Sequence, residues 1–206
     1  MLEKKLRIND RECQAIVSKH AGTPILFLHG FSYTSDIWRK IGLLDILAEK
    51  KIPFLALDMP YGKKSLCMPK SSDPETNETF AFEAFKSEFG PKMPFVIVGA
   101  SLGGYIALRI ASRRPAAALL LVSPTRTDRP ELVQAYRSFN FPVVIVWGSR
   151  DIIVSGKELH EMASQLPKAR MSVYEGASHS AYKDQPERFS KELLELYGLA
   201  RRKPGF

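Results

Sequence analysis

Residues 95–103 are Phe95-Val96-Ile97-Val98-Gly99-Ala100-Ser101-Leu102-Gly103, an apolar run that ends in a serine with a glycine two positions to either side. A short apolar run is typical of a buried strand, and the residues after Ser101 have the pattern of a helix. Glycines at positions 99 and 103 permit a turn so sharp that side chains there would clash. We therefore predict a nucleophile elbow, which holds the Ser101 hydroxyl above the end of a sheet and exposes it to substrate.

Short apolar runs alternate with helical patterns from residue 24 onward. The predicted strands are residues 25–28, 54–57, 95–98, 119–122, 143–147 and 171–174, each apolar enough to be buried on both faces. The predicted helices are residues 37–50, 75–89, 102–112, 131–139, 156–166 and 186–197. This alternation predicts an α/β fold with a mostly parallel sheet and helices on both faces. Functional residues should then meet at the carboxyl ends of the strands.

Two further segments lie outside this alternation. Residues 5–9 and 13–18 are predicted to form a short hairpin around Asp10-Arg11. Residues 61–74, which contain Gly62, Lys63, Lys64, Pro69, Ser71 and Ser72, are predicted to be a surface loop.

The composition is that of a globular protein. At 206 residues, with 45% hydrophobic and 25% charged residues, the chain suits one domain over residues 1–206 and excludes a disordered or fibrous design. No apolar run approaches the roughly 18 to 20 residues that span a bilayer, and residues 1–10 lack an export signal. Cys13 and Cys67 have neither metal-ligand spacing nor the number of a disulfide framework. We therefore expect a cytoplasmic protein with no metal and no membrane insertion.

The net charge of +8 raises the question of an acidic partner. The basic residues are scattered in small groups, namely Arg113-Arg114, Arg126 with Arg129, and Arg201-Arg202-Lys203. A nucleic-acid site would show a dense basic run interleaved with aromatic residues. We therefore expect a solvated basic surface rather than a nucleic-acid-binding one.

A nucleophilic serine needs a base, and the chain has four histidines. His20 precedes the first strand of the alternating pattern, His160 lies within a predicted amphipathic helix, and His29 ends a strand. The elbow architecture places the base after the acid, near the C-terminus. His179, in the loop that follows residues 171–174, fits this order and is the predicted base.

The acid should lie between serine and histidine, at a strand end from which it can orient the imidazole. Asp151 follows the apolar run 143–147 and meets both demands, although it could also be a helix cap near Ser155. Asp128, beyond the preceding strand, is the alternative.

An attacked carbonyl also needs hydrogen-bond donors for its developing negative charge. The predicted donors are the amide of Leu102, at a helix N-terminus, and that of Phe31, which Gly30 allows the chain to present in a tight turn. We expect His29 to support this loop by hydrogen bonds.

Five motifs together resemble the alpha/beta-hydrolase superfamily over residues 22–198. They are His29-Gly30-Phe31, Asp58-Met59-Pro60-Tyr61-Gly62 with Ser65, Gly99-Ala100-Ser101-Leu102-Gly103-Gly104, Trp147-Gly148-Ser149-Arg150-Asp151 and Gly176-Ala177-Ser178-His179. The resemblance implies a single-domain fold with six to eight strands, Ser101 as nucleophile, His179 as base, Asp151 as acid, and Phe31 and Leu102 as oxyanion donors. It implies no cofactor.

The chain departs from the family pattern at two places. Tyr61 replaces the first glycine of the usual Asp-x-Pro-Gly-x-Gly motif, and fewer than 20 residues join Val122 to Phe141, where many members insert a helical lid. We therefore expect a lidless serine hydrolase acting on a carboxylic ester or thioester with a small or accessible acyl group. The aromatic residues Tyr33, Trp38, Phe80, Tyr105 and Tyr182 could line its site, but core positions are commoner for such residues.

Other readings remain open at the level of sequence. The same triad could serve a peptidase or amidase, a hydrolase of carbon–carbon bonds, or a perhydrolase. A binding or interaction protein that keeps the scaffold without turnover is the alternative from a different class. The intact set Ser101, Asp151 and His179 favours an enzyme.

Overall fold

The computed structural model describes residues 1–201, so Arg202 and Lys203 of the last basic group lie outside the described residues. Eight strands form one sheet in the order β1-β2-β4-β3-β5-β6-β7-β8. The strands are β1 (Leu2–Ile8), β2 (Arg11–Ser18), β3 (Ile25–Leu28), β4 (Phe54–Leu57), β5 (Phe95–Ala100), β6 (Ala116–Val122), β7 (Val143–Gly148) and β8 (Ala169–Tyr174). β1 pairs antiparallel with β2 and β2 with β4, whereas the remaining pairs are parallel. The predicted hairpin and mostly parallel sheet are confirmed.

Helices cover both faces of this sheet. They are α1 (Ile37–Lys40), α2 (Leu43–Glu49), α3 (Pro74–Phe89), α4 (Leu102–Ala111), α5 (Pro130–Tyr136), α6 (Gly156–Gln165), α7 (Ala181–Asp184) and α8 (Pro186–Arg201). α3 to α6 share one hydrophobic core with the sheet, and α1, α2, α7 and α8 share the other. Within β3, Leu26 faces the first core and Phe27 the second, because successive side chains of a strand point to opposite faces. This explains why the central strands are apolar at every position.

The structure corrects three predicted elements. The helix predicted over residues 37–50 is broken into α1 and α2, because Gly42 adopts a φ of 76° that a continuous helix cannot accommodate. The short α7 lies in what was predicted to be a loop. The strand predicted at residues 171–174 is not buried on both faces: β8 is an edge strand, with Ser172 and Tyr174 buried and their neighbours partly exposed.

The prediction of a surface loop over residues 61–74 is wrong for part of that segment. Tyr61, Ser65 and Cys67 are buried, and Pro74 is the first residue of α3. The Ser65 hydroxyl donates a hydrogen bond to the Asp58 carboxylate at 3.0 Å. Such long-range contacts bury a segment whose composition is typical of a solvent-exposed loop.

The cysteines also differ from expectation, since Cys13 and Cys67 form a disulfide between β2 and this segment. A backbone bridge between Glu12 and Met68 sets the neighbouring residues side by side, a pairing that the sequence spacing does not reveal. The cysteine count is therefore no evidence that the protein resides in a reducing compartment. No helix within residues 1–201 is long and apolar enough to cross a membrane.

Candidate active site

Ser101 lies at the junction of β5 and α4 in an unusual backbone conformation, with φ of 53° and ψ of −117°. Such a conformation costs about 1 to 3 kcal/mol for a residue with a side chain and persists only where its surroundings fix it. The Ser101 amide donates to the Val122 carbonyl at 2.8 Å, and the Ser101 carbonyl accepts from the Gly104 amide at 2.9 Å. The predicted sharp turn is therefore present, anchored to the neighbouring strand β6.

The glycines of the turn are required by close packing. A Cβ atom on Gly99 would lie 2.6 Å from the Gly103 carbonyl oxygen, and one on Gly103 would lie 2.5 Å from the His29 carbonyl oxygen. Real Cβ atoms essentially never approach other atoms so closely. The start of α4 can therefore rest directly on the carboxyl end of β3, which brings the predicted donor loop next to Ser101.

Asp151 and His179 contact each other although they follow different strands. The His179 Nδ1–H donates to Asp151 Oδ2 at 2.8 Å. The other carboxylate oxygen, Oδ1, accepts from the amides of Ile153 at 2.8 Å and Val154 at 3.0 Å. A proton on Nδ1 leaves the Nε2 lone pair of neutral imidazole free to accept a proton from another group.

The carboxylate of Asp151 is held in its ionised form. Its side chain is 0% exposed, and burial by itself raises the pKa. The nearby Ser123 hydroxyl, the two backbone amides and His179 stabilise the negative charge more strongly, so the pKa of Asp151 lies below its usual value. A buried carboxylate can therefore stay charged and orient the imidazole.

Ser101 and His179 line one cavity of about 220 Å³, called here the serine cavity. Its other walls include Phe31, Tyr33 and Ile153. Within residues 1–201 the Ser101 hydroxyl and the His179 ring do not form a hydrogen bond with each other. Catalytic hydrogen bonds are often long before substrate binds, so this spacing is compatible with proton transfer in a complex.

The two predicted donor amides also border this region. Phe31 lines the serine cavity, and Leu102 begins α4 immediately after Ser101. Neither amide donates a hydrogen bond to another group in the described part of the chain. Both amides therefore have no hydrogen-bond acceptor among the described residues.

Hydrogen bonds made by buried residues hold the loop that carries Phe31. His29 is fully buried, its Nε2 accepts from the Met59 amide at 2.9 Å, and its Nδ1–H donates to the Gly30 carbonyl at 2.8 Å. The Tyr61 hydroxyl donates to the His29 carbonyl at 2.5 Å. His29 thus links this loop to Met59, and Tyr61 adds a further hydrogen bond to it.

Other sequence candidates lie away from this arrangement. His160 is exposed on α6 and its ring contacts the Gly156 carbonyl. His20 lies between β2 and β3, and Asp128 lines a different cavity. Trp38, Phe80, Tyr105 and Tyr182 belong to the buried cores, as expected for most of the aromatic candidates, and Tyr33 and Tyr182 line the serine cavity.

Sequence reasoning missed two residues that contribute to the site. Tyr61 was noted only as a departure from a motif, yet it is the residue that holds the His29 carbonyl. Ser123 is fully buried beside Asp151 and has a φ of 42°. Its position directly after the apolar run of β6 was the available signal.

Comparisons with known proteins identify the family. The model of the alpha/beta hydrolase family matches residues 25–150, which include the Ser101 turn and both candidate donors. The chain belongs to the alpha/beta hydrolase family. Family membership supports a hydrolase activity.

Two curated relatives of this alpha/beta hydrolase are each 30% identical to it over the aligned residues. The Danio rerio protein ABHD14A is 30% identical over 177 residues, which cover 84% of this chain but only 63% of that protein. The human protein ABHD14B, named as a candidate protein-lysine deacylase, is 30% identical over 189 residues, which cover 88% of this chain and 87% of the relative.

Solved structures show the same fold. A CIB-like hydrolase from Thermoplasma acidophilum superposes with a TM-score of 0.84 at 23% identity, over 96% of this chain and 98% of that one. A thermophilic esterase from Thermogutta terrifontis has a TM-score of 0.80 at 16% identity, over 98% of this chain and 100% of that one. At these identities the likeness concerns the alpha/beta hydrolase fold alone. The short passage between β6 and β7, with α5 as its helix, confirms the expected absence of a lid within residues 1–201.

Proposed function

We propose that this alpha/beta hydrolase is a serine hydrolase that cleaves a carboxylic ester or thioester through a covalent acyl-enzyme on Ser101. The observation that carries the proposal is the 2.8 Å hydrogen bond between His179 and the buried Asp151, made at the mouth of the cavity that Ser101 lines. These side chains come from loops after three different strands.

In the proposed reaction His179 Nε2 takes the proton of the Ser101 hydroxyl as the oxygen attacks the substrate carbonyl. Asp151 keeps the proton of the imidazole on Nδ1 and stabilises the imidazolium that forms. The amides of Phe31 and Leu102 donate to the carbonyl oxygen as it becomes negative. His179 returns its proton to the leaving group, and water activated by the same residue then releases the acid.

The dimensions of the site support a small or accessible acyl group. The serine cavity holds about 220 Å³, and Phe31 and Ile153 at its mouth are 50% and 65% exposed. An open mouth can admit an acyl group that is carried on a larger molecule. The human relative named as a candidate protein-lysine deacylase makes the amide of an acylated lysine side chain the second candidate substrate.

Labelling with a fluorophosphonate tests whether Ser101 is activated. We expect stoichiometric labelling of the wild-type protein, none in Ser101→Ala, and a strong decrease in His179→Ala. Ser164→Ala, which removes a hydroxyl that only caps the Glu161 carbonyl on α6, is the matched control and should label normally. A folded wild-type protein that stays unlabelled would contradict the proposal and favour a binding protein.

Turnover of small test substrates gives the second readout. Ser101→Ala should lower kcat for 4-nitrophenyl acetate at least about 10³-fold, because the remaining oxyanion donors accelerate the reaction only modestly without a nucleophile. Acetyl esters, acetyl thioesters and an acetyl-lysine peptide should then be compared at equal concentration. Hydrolysis of the peptide alone would replace the ester proposal by the deacylase one.

A further inference from the structure

A second cleft shares a wall with the serine cavity. It has a volume of about 400 Å³, and both Ser32 and Tyr33 line the two spaces. The Tyr33 hydroxyl lies 3.1 Å from the Ser180 hydroxyl, next to His179 in the chain. Ser32 and Tyr33 therefore border both spaces, and the second cleft adjoins the serine cavity.

Three lysines from separate segments line this space, called here the basic cleft. Lys40 ends α1, Lys64 follows β4, and Lys183 lies on α7. Lys183 Nζ is 5.7 Å from the centre of the Tyr33 ring, so it lies beside the wall between the two spaces. A cleft that adjoins the serine cavity is thus bordered by three positively charged side chains from separate segments.

Of these three lysines, one forms an ion pair within residues 1–201. Lys40 forms an ion pair with Asp36 at 3.0 Å. Within residues 1–201 no carboxylate oxygen lies within 4.0 Å of Lys64 or Lys183. The carboxylate of Asp184, next to Lys183 in the chain, instead accepts from the Ser178 amide at 2.7 Å and from the Ser178 hydroxyl.

We propose that the basic cleft binds an anionic group, a carboxylate or phosphate, at the end of the substrate remote from the bond that Ser101 attacks. The inference rests on the proposed function and names the substrate class: acyl compounds with a negative charge several bonds from the reacting carbonyl. Two lysines without a carboxylate partner attract such a charge, and the hydroxyls of Ser32 and Thr34 can donate to its oxygens. The charge belongs either to the acyl chain or to the leaving group.

Two matched pairs of test esters separate these sources. Mono-4-nitrophenyl adipate and its methyl-capped diester differ only in a negative charge at the end of the acyl chain. 4-Acetoxybenzoate and its methyl ester differ in a negative charge on the leaving group. Because the neutral phenol is also the better leaving group, kcat/KM for each is divided by its rate of alkaline hydrolysis before the comparison. We expect the wild-type enzyme to favour the charged member of one pair in kcat/KM by about 10-fold, as two lysine contacts at exposed positions would provide.

Lysine variants should remove this preference. Lys64→Gln and Lys183→Gln should each reduce the ratio about 3-fold, and raising the salt from about 0.05 to 0.5 M should reduce it in the wild type. Lys50→Gln alters the net charge equally but lies just after α2, before the amino end of β4, and does not line the basic cleft, so it should leave the ratio unchanged.

Binding to Ser101→Ala gives a readout that does not need turnover. Calorimetry should show tighter binding of the charged ester than of its capped partner, and the double variant Ser101→Ala with Lys183→Gln should show a smaller difference. Equal kcat/KM within both pairs, with turnover that depends on Ser101, would overturn the basic cleft and leave the proposed function standing. A charge-dependent affinity without any turnover would support the cleft and contradict the hydrolase proposal.

Discussion

Asp151 accepts three hydrogen bonds while its side chain is closed to solvent. Asp151→Asn keeps an oxygen for the Ile153 and Val154 amides but turns an NH₂ group toward His179 Nδ1. The imidazole must then carry its proton on Nε2, where it cannot accept the Ser101 proton. We expect kcat for 4-nitrophenyl acetate to fall about 10³- to 10⁴-fold.

The control for this substitution is Asp128→Asn, which changes the alternative acid and should leave kcat within about 2-fold, as surface substitutions generally do. Equal losses in the two variants would contradict the assignment of Asp151.

The pH dependence of the free energy of unfolding has a defined sign, because the folded-state pKa of Asp151 is lowered. Its ionised form stabilises the fold above the unfolded pKa of about 3.9, and this contribution is lost as the pH falls through the lower folded pKa.

At the scale of elements, Glu88 joins α3 to the hairpin. It forms ion pairs with Lys4 of β1 at 2.5 Å and with Lys19, just after β2, at 3.0 Å. We expect Glu88→Gln to lower the free energy of unfolding by about 1 kcal/mol, measured by urea denaturation at pH 7. Glu83→Gln removes an ion pair within α3 and should cost only a few tenths of a kcal/mol.

At low pH the difference in free energy of unfolding between wild type and Glu88→Gln should disappear. Burial raises the pKa of Glu88, but the two lysines outweigh it and hold the pKa below its usual value. The stabilisation is therefore present above the unfolded pKa of about 4.3 and disappears as the pH falls through the folded pKa. A difference that persisted at pH 2 would show that lost packing, not charge, is responsible.

The elements that could be predicted from sequence are those with a strong local signal. Four-residue apolar runs predicted the exact bounds of β3 and β4. The ends of the predicted strands also placed Ser101, Asp151 and His179 in the loops that follow β5, β7 and β8. The break at Gly42 depends on a backbone conformation that the apolar spacing of residues 37–50 conceals. The burial of Tyr61 and Cys67 depends on contacts with residues far away in the chain, so no local sequence pattern predicted it.

At the scale of the whole molecule, the Cys13–Cys67 disulfide ties the antiparallel edge to the segment that braces the site. It closes a loop with a sequence separation of 54. Since such a link restricts the unfolded chain, we expect dithiothreitol to lower the free energy of unfolding by about 2 to 4 kcal/mol. The measurement is urea denaturation with and without reductant.

The double variant Cys13→Ser with Cys67→Ser is the control, and its stability should not respond to dithiothreitol. Its free energy of unfolding should not exceed that of the reduced wild type, because each serine places a hydroxyl group in the hydrophobic core where the wild type has a thiol. A wild-type protein that is indifferent to reductant would contradict a stabilising disulfide.

The passage from β6 to β7 holds only the 7 residues of α5 as its helix. In enzymes with a mobile lid, opening and closing occupy part of each catalytic cycle and often limit its rate. With no such gate over Ser101 in the described chain, arrival of substrate and escape of product need no large rearrangement. We expect the formation and hydrolysis of the acyl-enzyme to limit kcat. The value of kcat should therefore not change with the viscosity of the solvent.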